Sequence, residues 1–272
     1  MCELFAMSSR KPSAVSYSLP AFAERGSYIR RSREGWGIAY GHDEDVFLIK
    51  EAKPAADSPW VQFAAEQHLE SHTVIAHVRH ATIGKPVLQN THPFRYVAHG
   101  RVHVFAHNGT LTGLSDRYPK NTMRYKPIGQ TDSEHAFCLM LERLDQLEED
   151  SDLNLRQEII AEFTSEMTEF GAFNFLYYDG TALYAHAHRR VYEENGQFTD
   201  PKPPGLQMKN CQICAAGPEI TCDGLNIQHA ANRTILIASV PLDEIGWEPL
   251  PEGVLLVLKG GEEIGRLRTC TP

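Results

Sequence analysis

The sequence predicts an α+β fold built on antiparallel sheets. Three observations carry this. Apolar, β-branched segments come in neighbouring pairs. The amphipathic helices cluster in the middle of the chain instead of alternating strictly with strands. Asp179-Gly180 separates two apolar, aromatic-rich runs, which is a strong hairpin signal. No internal repeat and no composition break divides the chain, so residues 2–272 read as one domain.

In order, Cys2 to Met7 reads as a short apolar strand. Ser8 to Arg33 is mixed and basic, and reads as turns with a short helix. Gly35-Trp36-Gly37-Ile38-Ala39-Tyr40-Gly41 reads as a strand opened by glycines, with Val46 to Lys50 as its hairpin partner. Asp57 or Ser58 caps a helix with Pro59 in its first turn and an apolar stripe through Val61, Ala64, Ala65 and Leu69. Thr73 to His77 and Val102 to Ala106 are apolar strands, the second ending at His107-Asn108-Gly109. Thr131 to Glu149 has a helical apolar period, and Thr131 with Glu134 forms a capping-box pattern that puts Asp132 in the first turn. A second helix spans Leu155 to Glu169. Phe173 to Tyr178 and Ala182 to Ala185 flank the hairpin turn. Tyr192 to Gly205 is a surface loop rich in Pro, Gly and charge, and Thr234 to Val240 and Val254 to Leu258 are late strands.

The bulk numbers exclude several classes. A net charge of −9 argues against a nucleic-acid or anionic-membrane partner, which would want a basic patch. No apolar run approaches the roughly 20 residues that span a bilayer, and no signal peptide is visible, so a cytosolic, soluble protein is expected. Cys211-Gln212-Ile213-Cys214 followed by Cys222 invites a zinc reading, but a fourth ligand at sensible spacing is missing unless His229 is recruited. Free thiols in or near a loop or strand are the favoured reading. His77, His80, His92, His99, His103 and His107 crowd one region without a standard zinc spacing, and alternation along strands accounts for several of them. The expected metal and cofactor content is therefore none.

The most informative residue is Cys2, directly behind Met1. Removal of the initiator methionine leaves a thiol and a free α-amine on one residue. The thiolate is a nucleophile, and an amine with a reference pKa of about 8 is an adjacent base. Three segments follow in which polar groups and small residues sit beside apolar stretches: Ala76 to Gly84, Ala106 to Leu111 and Gln130 to Glu134.

With Cys2, Arg79, Asn108-Gly109 and Asp132 in this order, the chain resembles the class II glutamine amidotransferases, which are N-terminal-nucleophile (Ntn) hydrolases. The likeness is plain from Cys2 to about residue 145 and weaker beyond. It implies a four-layer αββα sandwich with two antiparallel sheets. By resemblance, Cys2 is the nucleophile toward the γ-carboxamide of glutamine, and Asn108 and Gly109 form the oxyanion hole. Arg79 binds the substrate α-carboxylate and Asp132 its α-ammonium. Thr82, Gly84, Trp36, His80 and His92 fall near the pocket wall. The physics agrees: a guanidinium matches a carboxylate in two prongs, and a buried zwitterion needs one cation and one anion. His80 stands where large family members carry a residue such as Trp, so contacts beside the pocket differ. Nothing downstream resembles a synthetase, an isomerase or a phosphosugar domain.

Two functions with the same chemistry follow. One is a glutaminase that hands ammonia to a separate synthase subunit. The other is a stand-alone hydrolase of γ-glutamyl amides or peptides, resembling the compact enzymes of thiol metabolism. A third, from another class, is an inactive Ntn-fold binding or regulatory module. The substrate is a small molecule in either enzyme reading. Residues at the donor end do not separate the two, and they leave the oligomeric state open.

Overall fold

The computed structural model describes residues 2–17, 34–42, 44–55, 58–79, 85–147, 152–194, 196–211, 219–222, 225–228, 233–242 and 244–269. The first strands are β1 (Glu3–Tyr17), β2 (Trp36–His42), β3 (Asp45–Glu51), β4 (Glu70–Val78), β5 (Phe94–Ala98), β6 (Arg101–Leu111), β7 (Gly171–Tyr178) and β8 (Leu183–Ala187). The later ones are β9 (Glu193–Glu194), β10 (Gln197–Phe198), β11 (Gln207–Cys211), β12 (Glu219–Cys222), β13 (Leu225–Gln228), β14 (Thr234–Ala238), β15 (Trp247–Pro249), β16 (Val254–Lys259) and β17 (Glu262–Arg268).

Two large sheets result. The first has the order β15-β11-β14-β1-β4-β2-β3, extended by β13 on the far half of β1 and by β12 on β13. The second has the order β17-β16-β8-β7-β6-β5. Every strand pair is antiparallel, as expected for an α+β sandwich.

Strand alternation builds the layers. Leu4 and Ala6 of β1, Ile75 of β4, Ile235 and Ile237 of β14, Val104 and Ala106 of β6 and Leu176 of β7 meet between the sheets. Their neighbours Phe5, Met7, Trp36, Val74 and Leu236 face the other way, under the helix Pro59–Glu66. On the second sheet, Phe105, Phe173, Phe175 and Tyr177 pack beneath the helices Asp132–Leu144 and Leu153–Thr168. The helix Pro59–Glu66 is the one, among the described residues, that packs on the outer face of the first sheet. Among the described residues, no helix is long and apolar enough to cross a membrane.

Several elements depart from the sequence expectation. β1 continues to Tyr17 where turns and a short helix were expected. Its polar second half is paired through a register shift between Ser8 and Ser13. The Ser9 hydroxyl lies 3.0 Å from both Ser13 and Thr234 hydroxyls, so hydroxyl contacts hold a run that lacks apolar alternation. β6 runs through His107-Asn108-Gly109 instead of ending there. β17 has a charged, alternating edge-strand sequence, in which Arg266 pairs with Glu263. The loop Tyr192 to Gly205 contains the short β9–β10 hairpin, and its Lys202 forms a bridge back to Arg190 just ahead of the loop. The first helix begins at Pro59 after Ser58, but Ser58 spends its hydroxyl on Glu51 and leaves no side-chain cap. At the Asp132 helix, Thr131 does cap the Glu134 N–H at 3.1 Å. The Glu134 carboxylate departs from the reciprocal box and accepts from Ile128 and Gly129 N–H instead.

Candidate active site

The inter-sheet face is apolar along its length and turns polar at one end. Continuing the alternation of Leu4, Ile75, Ala106, Leu176 and Ile237 by one step places Cys2, His77, Asn108, Asn174 and Ser239 on that same face. Arg79 follows His77 just past the end of β4. Two packed sheets therefore hold the ends of five strands in one place.

The hydrogen bonds tie these residues together. Asn108 Nδ2 donates to the Cys2 carbonyl at 2.7 Å and to Ser239 Oγ at 3.1 Å. Asn108 Oδ1 lies 3.1 Å from His77 Nε2. Ser239 Oγ also accepts from Leu4 N–H at 2.9 Å. Across the β6–β7 pair, Asn174 stands opposite Asn108. Its amide donates to the Asn108 carbonyl at 3.1 Å and to the Arg189 carbonyl at 2.7 Å.

Gly109 has φ +151, and a Cβ there would sit 1.7 Å from the Ala172 carbonyl oxygen, so only glycine keeps β6 this close to β7. Cys2, Asn108, Gly109, Ala172, Asn174 and Arg190 line one cavity of about 340 Å³, within the usual size range of small-ligand sites.

Arg79 is almost fully buried. Its Nη1 donates to the Lys85 carbonyl at 3.1 Å, and the Asn90 amide donates to that same carbonyl at 3.0 Å. Asn90 Oδ1 accepts from Gln130 N–H at 2.8 Å, just before the Asp132 helix. One turn thus holds both Arg79 and the start of that helix. Burial pulls the Arg79 guanidinium down from its ordinary value, and the nearby Cys2 and Glu34 oppose that pull. Asp132 Oδ2 accepts from Leu111 N–H at 2.7 Å and Oδ1 from Ser133 N–H at 3.0 Å, which fixes the carboxylate beside the end of β6.

The histidines around the site are neutral. Burial pushes His77 down to about 3 and His92 well below the ordinary imidazole value, and their rings lie 4.2 Å apart. His107 lies on the opposite face of β6, with Nδ1 2.9 Å from the Ser133 hydroxyl, and burial lowers it too. Among the described residues, no group of three His, Cys, Asp or Glu side chains could hold a metal ion. Cys211 is buried at the end of β11, while Cys214 and His229 lie outside the described residues and so does the side chain of Cys222.

The structure thus brings together Cys2, Asn108 and Gly109 on one cavity, whereas Arg79, past the end of β4, and Asp132, beside the end of β6, are not among the residues that line it. Trp36 is placed elsewhere: it is fully buried on the outer face of the first sheet, among Phe5, Ile38 and Val78, and does not line the cavity. His80, Thr82 and Gly84 lie outside the described residues. Sequence reasoning missed Asn174, Ser239, Glu3 and Arg190. A signal existed for the first: a lone Asn inside the aromatic run Phe173 to Tyr178 has to spend its amide on buried partners.

The full length of the chain, residues 1–272, matches the class-II glutamine amidotransferases. The chain belongs to that family. It is 33% identical over 194 residues to YafJ of Escherichia coli (strain K12), covering 71% of this chain and 75% of that protein. A 2.0 Å crystal structure titled as a predicted glutamine amidotransferase from Pseudomonas aeruginosa PA01 superposes with a TM-score of 0.71 at 28% identity, over 97% of this chain and all of that one. The glutamine phosphoribosylpyrophosphate amidotransferase from B. subtilis matches with a TM-score of 0.61 at 17% identity, over all of this chain and 50% of that one, a likeness of fold. The two antiparallel sheets are accordingly those of an Ntn glutamine amidotransferase sandwich.

Proposed function

We propose that the protein hydrolyses the γ-amide of glutamine through a γ-glutamyl thioester on Cys2. The observation that carries this is the convergence of Cys2, Asn108 and Gly109 on one cavity, with the Asn108 amide bonded to the Cys2 carbonyl. With Met1 removed, the α-amine of Cys2 takes the thiol proton and the thiolate attacks the amide carbon. Charge builds on the carbonyl oxygen and is met by the Gly109 N–H and by the Asn108 amide, which releases one of its two Nδ2 bonds to do so, each such donor being worth about 2.7–4 kcal/mol. The carbon–nitrogen bond then breaks as the ammonium returns its proton to the departing amine. Water adds to the thioester by the reverse route and glutamate leaves. Arg79 holds the substrate carboxylate and Asp132 its ammonium, so no charge is stranded.

A second reading is favoured by the cavity wall. Beyond Cys2 it runs to Phe170, Val191 and Pro201, which gives room for a leaving group larger than ammonia. The two readings share every residue above. Glutamate release by chain with a free N-terminal Cys2 separates them, measured across L-glutamine and a panel of γ-glutamyl amides and peptides. Fast release from glutamine supports an ammonia donor serving a separate synthase subunit. Slow use of glutamine with fast cleavage of a bulkier compound supports a dedicated γ-glutamyl hydrolase. Inertness toward all of them favours a binding or regulatory module.

Arg79→Lys is expected to raise KM for the substrate at least about tenfold. A point-charge ammonium loses one of the two charge-assisted bonds, each worth about 1.5–3 kcal/mol. Steady-state kinetics check this, and an unchanged KM removes Arg79 from the carboxylate site.

A further inference from the structure

We propose that Arg190 is a positioning residue for this chemistry: its contacts to Glu3 and Ser239 fix the nucleophile-bearing end of β1 against the Asn108 amide and tie both to the segment that walls the cavity. The inference rests on the Cys2 reading above.

Glu3 is the residue after the nucleophile, and its carboxylate is buried. Arg190 grips it with both prongs, Nη2 to Oε1 at 2.9 Å and Nη1 to Oε2 at 3.3 Å. Arg190 Nη1 also donates to the Ser239 carbonyl. Ser239 in turn donates its N–H to the Leu4 carbonyl at 3.0 Å, and its hydroxyl accepts from both Leu4 N–H and Asn108 Nδ2. One guanidinium therefore braces the start of β1 and the end of β14, the two strand ends that meet Asn108.

The same residue reaches outward. Its backbone forms a two-bond bridge with Lys202, Arg190 N–H to the Lys202 carbonyl at 3.0 Å and the reverse at 2.9 Å. Its guanidinium lies 5.5 Å from the centre of the Tyr192 ring, and the Tyr192 hydroxyl donates to the Pro204 carbonyl. Val191 and Pro201, which line the cavity, flank the two ends of this bridge. A fully desolvated ion pair is a poor source of stability, because apolar residues of similar size fill such a place as well or better. What it supplies is a unique geometry. Here that geometry lies directly under the nucleophile.

The test compares wild type, Arg190→Lys, Arg190→Gln and the uncharged double variant Glu3→Gln/Arg190→Met, all with Cys2 as the first residue. The double variant guards against misfolding, since it strands no buried charge. Active sites are counted by alkylating Cys2 with iodoacetamide and weighing the N-terminal peptide. Glutamate release from whichever γ-glutamyl substrate the wild type uses fastest is then expressed per titrated site. The double variant is expected to titrate fully and to lose about 100-fold in kcat, the cost of misplacing a reacting group by about 1 Å, with KM unchanged. Arg190→Lys, which keeps the charge for Glu3 but loses the fork, is expected to fall between. Unchanged kcat per titrated site overturns the proposal, as does a raised KM with unchanged kcat, which marks Arg190 as a substrate contact instead. Wild-type protein that releases no glutamate from L-glutamine or from any γ-glutamyl amide or peptide of the panel defeats the Cys2 reading and this inference with it, and that failure is visible before any variant is compared.

Discussion

Cys2→Ala is expected to release no measurable glutamate from any γ-glutamyl substrate while unfolding at the same denaturant concentration as the wild type. The two halves of this expectation have separate causes. The rate falls because the thioester has no atom to form on. Removing the nucleophile of a covalent hydrolase costs about 10⁶-fold, and what catalysis is left comes from binding and the oxyanion donors. The fold survives because Cys2 contributes little to any of the three apolar clusters. It is only partly buried, ahead of the first residue of β1, and what Asn108 grips there is its backbone carbonyl, which alanine retains. Paired glutamate-release assays and urea melts check both halves. Turnover surviving in Cys2→Ala would refute the nucleophile assignment. Lost turnover with a collapsed melt would make the residue structural.

The legible part of this site was the part written in local pattern. Alternation in β1, β4 and β6 puts Cys2, His77 and Asn108 on one face once the strands are known, and the Thr131–Glu134 spacing places Asp132 in a first turn. The illegible part depends on residues far apart in sequence. Glu3 and Arg190 are 187 positions apart, and Ser239 and Asn108 are 131 apart. No periodicity links such pairs, and Arg190, in the doublet Arg189-Arg190 just ahead of the Pro- and Gly-rich segment, carries no local pattern that marks it as buried. Strand ends failed for a related reason. The strand Val102 to Ala106 was expected to end at His107-Asn108-Gly109, and an Asn-Gly pair is a common turn signal. Here Gly109 instead lets β6 continue past β7 at a distance a side chain would forbid. Trp36, set near the pocket wall by the family resemblance alone, supplies core volume on the outer face of the first sheet.

A chain that keeps any residue ahead of Cys2 is expected to be inactive, and this follows from the same geometry. An acylated nitrogen has no basic lone pair, so it cannot take the thiol proton or return it to the leaving amine. General acid–base assistance of that kind is worth about 10²–10⁴-fold. Cys2 also lines the cavity, and its carbonyl is pinned by Asn108 at 2.7 Å, so the Cys2 backbone cannot swing aside to accommodate an extension. The check uses one preparation with a tag fused ahead of Cys2 and a portion of it cleaved to leave Cys2 first, with intact mass confirming each state. Cleavage should restore glutamate release and bring in a pH inflection near 8, where an α-amine titrates. Full activity with the tag demonstrably in place would remove the α-amine from the mechanism. The proton would then have to go elsewhere, and the buried histidines are poor substitutes. His77 is held neutral by burial with a value near 3, so it has almost no basicity to offer at the pH where the thiolate must form.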